Sequence, residues 1–355
     1  MANKVKVDLG NNSYNITMIE DFKDSVKRFA SSAESQCMLI TQENIFDLYK
    51  NQFNDLSNIS NVNIFLIDEG EKAKSFDSII SIVNEMADKR FDRSSLVLAI
   101  GGGVVGDIAG FAASIYMRGV KYIQYPTTLL AMVDSSIGGK TGINLEDGKN
   151  LVGRIYQPIA VEIDINFLST LPKRELNAAL AEVVKYGFIY DREFFDYIVE
   201  NITEINNRNL DVIQKVITQC CEIKSDIVSE DENEAELRMI LNFGHTIGHA
   251  IESFTKYEEL LHGEAIFYGM KCALYLSNKF GDLNNDDYKK SCQLLSKFDL
   301  PSLNIDNKDI FINFVKNDKK FRGENIRFIL LDEIGKSRIS EDISFDQIKE
   351  SLSVL

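Results

Sequence analysis

The chain of 355 residues contains no tryptophan, only four prolines and only five cysteines. The cysteines are Cys37, Cys220, Cys221, Cys272 and Cys292, and no two of them form a C-x-x-C pair. Their odd number and scattered spacing argue against a disulfide framework and against a thiolate zinc site. We therefore expect five reduced, structural thiols.

Long hydrophobic runs and an excess of positive charge are also missing. No segment approaches the ~20 apolar residues of a membrane span, and Met1–Gly10 lacks the apolar stretch of a signal peptide. The chain has 39 Lys and Arg against 54 Asp and Glu, a net charge of −15. Such a surface disfavours nucleic acid and anionic membrane as partners. We predict a cytoplasmic protein in which any anionic substrate meets a local basic pocket.

Short β-branched runs alternate with amphipathic helical patterns in the first half of the chain. This alternation is typical of a parallel α/β sheet. The runs predicted as strands are Met38–Thr41, Asn63–Ile67, Ser95–Ile100 and Tyr122–Tyr125.

Beyond about Leu168 the pattern changes to long segments with a period of 3.6 residues, such as Glu175–Val199 and Leu210–Val228. A strand pattern returns only at Ile326–Leu331. At ~100–200 residues per domain, the length fits two domains. We predict an α/β domain over residues 1–170 and a mostly helical domain over residues 171–355.

A glycine-rich segment, Gly101–Asp107, follows the third predicted strand and precedes a predicted helix over Ile108–Ile115. Gly101, Gly103 and Gly106 match G-x-G-x-x-G, in which bare backbone and a helix N-terminus accept a pyrophosphate. An ordinary Rossmann opening differs, since it follows a first strand and has an acidic residue ~20 positions later. A dinucleotide-phosphate site and a plain strand–turn–helix joint both remain open.

The three histidines of the chain all lie within eighteen residues. If the segment is a single α-helix, one of its faces carries Arg238, Asn242, His245, His249 and Glu252. The intervening residues are mostly apolar or small, so this helix should be buried and its polar stripe should have buried partners.

A metal ion is one such partner, because imidazoles at helical spacing plus a third ligand match catalytic zinc. The candidates for further ligands are His262 and also Glu182, whose carboxylate interrupts an apolar helical segment. The alternative is a set of hydrogen-bonded core histidines with a salt-bridged glutamate.

Several basic residues lie beside apolar or glycine-rich runs of this acidic chain. Pro126–Asn150 is a long polar stretch with neither helical nor strand period, as in many functional loops. It contains Asp134, Lys140, Lys149 and Asn150, and elsewhere the candidates are Arg118, Lys224, Arg238, Lys319 and Lys320. Together they would form a phosphate or carboxylate pocket, whereas a single lysine is more often a solvated side chain.

Five segments of the chain resemble the 3-dehydroquinate synthase family. They are Gly101–Gly119, Tyr125–Asn144, Ala181–Gly187, Arg238–Glu252 and His262–Ala265. The resemblance runs from about Thr41 to Asp318-Lys319-Lys320 and the Ile326–Ile339 tail, which is most of the chain. It implies an NAD-binding α/β domain, a helical metal-binding domain and an active site between them.

The resemblance also implies an activity, that of a phosphate-eliminating lyase in the shikimate pathway of aromatic amino acid biosynthesis. Its substrate would be 3-deoxy-D-arabino-heptulosonate 7-phosphate, and its products 3-dehydroquinate and phosphate. Transient oxidation by a catalytic NAD would precede phosphate loss, re-reduction, ring opening and an intramolecular aldol closure. Zinc or cobalt would be the metal, and the protein would be a homodimer.

Site residues follow from the same resemblance. The metal ligands would be Glu182, His245 and His262, and His249 would be the catalytic histidine of a proton relay. The cofactor would be bound by Gln42, Asn44, Glu71, Lys74, Gly102, Gly103, Val104, Asp107, Thr127, Thr128, Leu130, Asp134, Ser135, Lys140, Lys149, Asn150, Phe167 and Thr170. The substrate and its anionic groups would meet Arg118, Lys140, Asn150, Lys185, Lys224, Arg238, Asn242 and one or both of Lys319 and Lys320. Asp134 and Lys149 would sit between cofactor and substrate.

Two positions depart from the family pattern. Gln42 stands where an aspartate usually binds the adenosine ribose, which predicts a weaker NAD affinity or a relaxed cofactor choice. Ala179 replaces a glycine shortly before the metal glutamate, and there we expect only a change in packing.

Three alternatives compete with this assignment: a sugar phosphate cyclase that makes a valiolone or an inosose, a metal-dependent polyol dehydrogenase of glycerol dehydrogenase type, and a non-catalytic sugar-phosphate-binding relative. Lys224, Asn242 and the Lys319/Lys320 pair favour a substrate that carries a carboxylate. Because all three metal ligands are present, the non-catalytic alternative is disfavoured.

Overall fold

The computed structural model describes residues 4–145, 148–232, 234, 236–318 and 326–355. They form two compact units. The first comprises Met1–Pro172 and Ile217–Asn233, and the second comprises Lys173–Val216 and Glu234–Leu355. Within the described ranges, no helix has the length and apolar composition needed to cross a bilayer.

A seven-stranded sheet forms the centre of the first unit, with strand order β1-β2-β9-β6-β5-β3-β4. All neighbouring strands are parallel except β1, which pairs antiparallel with β2 at one edge. The strands of the described residues are β1 (Lys4–Val7), β2 (Tyr14–Ile19), β3 (Cys37–Gln42), β4 (Val62–Ile67), β5 (Leu96–Gly101), β6 (Lys121–Pro126), β7 (Lys140–Leu145), β8 (Gly148–Ile155), β9 (Ala160–Asp164), β10 (Phe328–Glu333) and β11 (Lys336–Ser340).

The four predicted strands are confirmed as β3, β4, β5 and β6, and they are adjacent in the sheet. Every residue of β3 and β5 is buried, which explains their continuous hydrophobic runs. Parallel neighbours end at the same sheet edge, so the loops after these strands lie side by side there.

Helices pack around this sheet and make up most of the second unit. In the described residues they are α1 (Phe22–Ser32), α2 (Glu43–Leu48), α3 (Lys50–Ser57), α4 (Phe76–Asp88), α5 (Gly103–Ile115), α6 (Lys173–Ile189), α7 (Arg192–Asn206), α8 (Leu210–Glu230), α9 (His245–Phe254), α10 (His262–Phe280), α11 (Asn285–Leu295), α12 (Lys308–Asp318) and α13 (Phe345–Ser351). In the second unit, α10 packs against α6, α9 and α11, and the β10–β11 hairpin adjoins it. The expected α/β and helical fold classes are confirmed, and all five cysteines are free, as predicted.

The prediction of an irregular loop over Pro126–Asn150 is wrong. This stretch contains a π-helical turn over Ala131–Ser135 and the β7–β8 antiparallel hairpin. The hairpin lacks a clear strand pattern because Gly142 and Gly153 face each other across it. A Cβ on Gly153 would lie 2.0 Å from the carbonyl oxygen of Thr141, so the backbones of the two strands are in close contact there. Glycine therefore replaces the alternating side chains that would mark a strand in the sequence.

The prediction of a single helix from Arg238 to Glu252 is also wrong. Leu237–Asn242 forms a 3₁₀ helix, and α9 begins only at His245. Between them Gly244 adopts φ +79°, a left-handed conformation that glycine tolerates and that ends the first helix. The polar residues therefore do not share one helical face, although the structure still brings the histidines together.

The predicted helical segment Glu175–Val199 is in fact two helices, α6 and α7. Asp191 separates them, and its side chain accepts a hydrogen bond from the Phe194 N–H at 2.9 Å. Such N-capping starts a new helix at a point that hydrophobic periodicity alone does not reveal.

Candidate functional site

Three potential metal ligands converge in the second unit. Glu182 lies within α6, His245 is the first residue of α9 and His262 is the first residue of α10. Oε1 of Glu182 lies 3.5 Å from Nε2 of His245 and 3.8 Å from Nε2 of His262. One ligand atom from each residue lies within 4.8 Å of the other two, a spacing that can enclose one metal ion.

The other ring nitrogen of each ligand histidine is held by an acceptor. Nδ1 of His245 lies 3.2 Å from the carbonyl oxygen of Phe243, and Nδ1 of His262 lies 3.2 Å from Oε2 of Glu252. With the proton on Nδ1, each Nε2 presents its lone pair toward Glu182, as in metal sites. Glu252 was predicted to lie on the polar stripe but not to have a role in the site, although its position one turn after His249 was an available signal.

The residues of this cluster fit a divalent cation. Glu182 is 1% exposed, and among the described residues neither of its carboxylate oxygens has a donor in good hydrogen-bond geometry, although the Lys185 ammonium lies against it as an ion pair. Burial, aided by the positive charge of Lys185, lowers the pKa of His245 well below its ordinary value, so this imidazole is neutral. One carboxylate and two neutral imidazoles are a donor set that zinc and cobalt accept.

Three further predicted residues lie close in sequence to His245: His249 on α9, and Arg238 and Asn242 on the preceding 3₁₀ helix. The ring of His249 is centred 5.3 Å from that of His245 and 5.9 Å from that of His262. In the preceding 3₁₀ helix Arg238 is buried, and Nδ2 of Asn242 donates to Oε1 of Glu234 at 3.1 Å. Glu234 is a neighbour that the sequence analysis did not identify.

The glycine-rich segment of the first unit forms a tight strand-to-helix turn. β5 ends at Gly101, Gly102 is the N-cap residue, and α5 begins at Gly103 without a side-chain cap. A Cβ on Gly103 would lie 3.0 Å from Oγ of Ser135, and one on Gly102 would lie 3.1 Å from Cγ2 of Thr128. The turn thus leaves little room for larger residues at these two positions, and a helix N-terminus without a side-chain cap can bind a phosphate.

A polar network around the buried Lys74 adjoins the same end of the sheet. The Nζ atom of Lys74 lies 2.6 Å from Oδ2 of Asp107 and also donates to Oδ1 of Asn150. Burial raises the pKa of Asp107 to about 6, although Lys74 acts in the opposite direction. Nδ2 of Asn144 donates to Glu71 at 2.8 Å, and the Asn144 N–H donates to the Lys74 carbonyl oxygen at 2.9 Å. Asn144 was not predicted as a site residue.

Lys224 and Asp134 form a second ion pair in the first unit. Lys224 is 4% exposed on α8, and its Nζ lies 2.5 Å from Oδ1 and 2.7 Å from the carbonyl oxygen of Asp134. Asp134 belongs to the π-helical turn, whose preceding Thr128 accepts a hydrogen bond from the Ala131 N–H at 3.1 Å. Lys224 is therefore not a solvated side chain but a buried cation that lies against a carboxylate.

The remaining predicted residues of the first unit lie mostly in segments that follow sheet strands. Gln42 is the N-cap residue of α2 and donates from Nε2 to the Asp68 carbonyl oxygen at 3.0 Å. Oγ1 of Thr170 lies 2.8 Å from the Tyr49 hydroxyl, and Phe167 packs against the Tyr49 ring. The others are Asn44 in α2, Val104 in α5, Thr127 after β6, Leu130 and Ser135 at the π-helical turn, and Lys140 and Lys149 in the hairpin.

The last predicted substrate residues are Arg118, Lys319 and Lys320. Arg118 is exposed and adopts φ +69° directly after Met117 at φ +50°, a turn that non-glycine residues rarely form. Lys319 and Lys320 lie outside the described residues.

Comparison with known proteins identifies the family of this chain. Residues 64–178 match the family model described as 3-dehydroquinate synthase N-terminal, and residues 179–321 match the one described as 3-dehydroquinate synthase C-terminal. A curated 3-dehydroquinate synthase from Dictyoglomus thermophilum is 44% identical over 349 residues, covering 98% of this chain and 97% of that protein.

Two solved structures share the fold over nearly the whole chain. One is the 2-epi-5-epi-valiolone synthase ValA from Streptomyces hygroscopicus subsp. jinggangensis 5008 with NAD⁺ and Zn²⁺ bound, with a TM-score of 0.88, 27% identity and coverage of 98% and 97%. The other is a 2-deoxy-scyllo-inosose synthase complexed with carbaglucose-6-phosphate, NAD⁺ and Co²⁺, also with a TM-score of 0.88 and 27% identity, and with coverage of 99% and 100%. Together with the two family models, these matches show that the chain belongs to the 3-dehydroquinate synthase family.

Proposed function

We propose that this protein converts 3-deoxy-D-arabino-heptulosonate 7-phosphate to 3-dehydroquinate and phosphate, as a carbon–oxygen lyase that uses NAD and a divalent metal. The observation that carries the proposal is the convergence of Glu182, His245 and His262, with Lys185 against them, in a chain of this family. Relatives named for this reaction are 39% to 47% identical to the chain.

The metal would be held by Glu182, His245 and His262. When bound, such an ion would polarise a substrate alcohol for hydride transfer to NAD, and the ketone so formed would acidify the neighbouring C–H. Lys185 lies against Glu182 and offers an ammonium to an anionic substrate group beside the ligands. His249, one turn after His245, would carry a proton to or from the substrate as general acid and base.

NAD would bind at the carboxyl edge of the sheet in the first unit. The Gly102, Gly103 and Val104 amides with the N-terminus of α5 would receive its pyrophosphate, since no side chain caps that helix end. The buried Lys74–Asp107 pair would orient the rest of the cofactor through fixed polar groups. The other cofactor residues of this proposal are Gln42, Asn44, Glu71, Thr127, Thr128, Leu130, Asp134, Ser135, Lys140, Lys149, Asn150, Phe167 and Thr170.

The substrate anions would be bound by buried cations, two of which lie against carboxylates in the structure, Lys185 against Glu182 and Lys224 against Asp134. Arg238 and Lys185 in the second unit are each 2% exposed, and Lys224 in the first unit is 4% exposed. In this acidic chain, the buried cations of each unit would attract an anionic group of the substrate, a phosphate or a carboxylate. Arg118, Lys140, Asn150 and Asn242, with Lys319 or Lys320, complete the proposed substrate set.

The nearest alternative is another cyclase of this fold, since ValA and the inosose synthase share it. Those two structures are 27% identical to the chain, whereas the relatives named 3-dehydroquinate synthase reach 47%. A polyol dehydrogenase would differ in outcome, because it would release NADH whereas a cyclase regenerates NAD.

The deciding experiment incubates metal-replete protein and a trace of NAD⁺ with the heptulosonate phosphate, and measures phosphate release and NADH absorbance together. We expect phosphate in large excess over NAD⁺, dehydroquinate as product, and no accumulation of NADH. Absence of phosphate release, with NADH formed from polyols, would transfer the assignment to the dehydrogenase. Turnover of a different sugar phosphate instead would transfer it to another cyclase.

A homodimer in the cytoplasm remains part of this proposal. Sedimentation equilibrium of the purified chain measures the oligomeric state, and a monomeric mass across the working concentration range would exclude the dimer.

A further inference from the structure

His262 is the most exposed of the three proposed metal ligands. Its side chain is 33% exposed, against 12% for His245 and 1% for Glu182. It is also the first residue of α10, where the preceding segment enters the helix. Core packing alone therefore restrains His262 less than the other two ligands, and its position depends on specific contacts.

The first contact holds the imidazole ring. Nδ1 of His262 lies 3.2 Å from Oε2 of Glu252, and Nε2 faces Glu182, so the ring stands between two buried carboxylates. Glu252 lies on α9, the helix that begins with His245. A carboxylate on Nδ1 fixes the tautomer and makes Nε2 a stronger donor to a metal.

The second contact holds the backbone that leads into His262. The Leu261 N–H donates to Oε2 of Glu264 at 2.8 Å, and Glu264 is only 4% exposed. Arg174 of α6 donates two hydrogen bonds to the same carboxylate, from Nε to Oε1 at 2.7 Å and from NH2 to Oε2 at 2.8 Å. Its NH2 group also donates to the Glu259 carbonyl oxygen at 3.0 Å.

The start of α10 is therefore tied to α6, the helix that carries Glu182. The packing there is close, since a Cβ on Gly263 would lie 1.8 Å from the Ala178 carbonyl oxygen. A bidentate guanidinium–carboxylate pair fixes distance and orientation together. Two of the ligand helices thus hold His262 from separate sides, α9 through its ring and α6 through its backbone.

We propose that Glu252 and the Arg174–Glu264 pair are positioning residues that preorganise His262 for metal binding. The inference rests on the proposed function, because it assumes that Glu182, His245 and His262 bind the metal. It predicts that these three side chains control metal affinity although none of them is a ligand. Removing a partner of this kind from a metal-ligating histidine typically costs ~10–100-fold in metal affinity.

A role confined to stability would have a different signature. Arg192 provides the matched control. Its NH1 donates to Oδ2 of Asp287 at 3.1 Å and its NH2 lies 3.0 Å from Oδ1, and the pair has similar exposure, 44% and 9% against 55% and 5%. Both arginines lie in the second unit, but the Arg192 pair does not involve the His262 segment. Loss of either pair should lower stability, whereas only loss of the Arg174 pair should weaken metal binding.

The test measures Zn²⁺ affinity of the apo full-length chain by competition with a chromophoric chelator, with thermal unfolding monitored in parallel. We expect E252Q and R174M to bind Zn²⁺ ~10–100-fold more weakly than wild type and R192M to bind it equally well. The Co²⁺-loaded forms of E252Q and R174M should show an altered visible absorption spectrum, whereas that of R192M should match wild type.

Wild-type affinity and spectrum in both E252Q and R174M would overturn the inference. E252Q preserves side-chain size, so it decides the question if R174M does not fold. A wild-type chain that binds no Zn²⁺ at all would contradict the proposed metal site instead, and H262A serves as the reference for a lost ligand. Weak binding in R192M equal to that of R174M would also overturn the inference, since the effect would then be one of general stability.

Discussion

In the first unit, the ammonium of Lys74 lies 2.6 Å from the carboxylate of Asp107, and the two side chains are 3% and 20% exposed. An adjacent positive charge ordinarily lowers the pKa of a carboxyl group. Here desolvation outweighs it, and the pKa of Asp107 is raised from 3.8 to about 6. Asp107 thus ionises less readily than a solvent-exposed aspartate.

This shift predicts a pH dependence of stability. The folded state holds the Asp107 proton more tightly than the unfolded state does. This difference in proton affinity therefore stabilises the folded state below pH 3.8, and the stabilisation is lost as the pH rises to about 6. The D107N variant lacks this loss, so its stability relative to wild type should improve across that window. Urea unfolding midpoints of both proteins at several pH values measure the difference.

Asp92 supplies a control of opposite sign for this measurement. Hydrogen bonds from Ser94 lower the pKa of the Asp92 carboxyl below 3.8. The ionised Asp92 carboxylate therefore stabilises the folded state, and this stabilisation is lost as the pH falls. D92N should therefore lose stability relative to wild type at neutral pH and approach it in acid. A D107N-minus-wild-type difference that does not change with pH would contradict the assigned pKa.

The buried Lys185–Glu182 pair predicts a coupling between stability and metal. Replacing Lys185 with Met leaves the Glu182 carboxylate without its ion-pair partner, and uncompensated buried charges of this type cost ~3–5 kcal/mol. A bound divalent cation would neutralise the same carboxylate. We therefore expect K185M to be strongly destabilised with chelator present and much less so with Zn²⁺, as measured by denaturant unfolding. An equal loss of stability under both conditions would place the metal away from Glu182.

His249 should act in chemistry without holding the metal. The H249A variant should keep its fold and its metal content but lose ~10²–10⁴-fold in turnover, the usual contribution of a general acid–base group. Metal analysis after gel filtration and steady-state kinetics test the two halves of this expectation. Loss of bound metal in H249A would instead make His249 a ligand, and H245A is the reference for that outcome.

The turn at Gly103 allows steric strain to be separated from cofactor binding. In G103A the new methyl group would lie 3.0 Å from Oγ of Ser135 and 3.4 Å from its Cβ, so stability should fall modestly. The double variant G103A/S135A removes the closer atom and should recover stability. If NAD approaches this backbone as proposed, the double variant should still bind NAD weakly, as isothermal titration calorimetry would show. Full recovery of NAD affinity along with stability would contradict a phosphate position over Gly103.

Local patterns anticipated the elements that depend on near neighbours. The uninterrupted apolar runs of β3 and β5 indicated buried parallel strands, and both of these strands are buried along their full length. The clustering of histidines in a chain with so few of them indicated a polar centre, and the ligand atoms of His245 and His262 do lie close to Glu182. In each case the signal arises from hydrophobic period or composition within a short window.

Two of the misassigned elements, the β7–β8 hairpin and the segment before α9, share one physical cause: a glycine that allows close backbone packing interrupts the side-chain pattern. Gly142 and Gly153 face each other in a hairpin that carries little strand periodicity, and Gly244 breaks a helix that the polar spacing favoured. Whether a glycine permits continuation or imposes a turn depends on what packs against it. For Gly244 that neighbour is Met270, whose Cγ would lie 2.7 Å from an added Cβ.

The amino-acid sequence by itself determined the buried parallel strands, the glycine-rich turn and the candidate residues for binding a metal, because these depend on local spacing and side-chain chemistry. Only the tertiary structure decided which residues support that set. Arg174 and Glu252 reach the His262 segment from two other helices, through pairings between chain positions far apart in sequence. Such pairings depend on how α6, α9 and α10 pack, and no periodicity within any one of these helices specifies it.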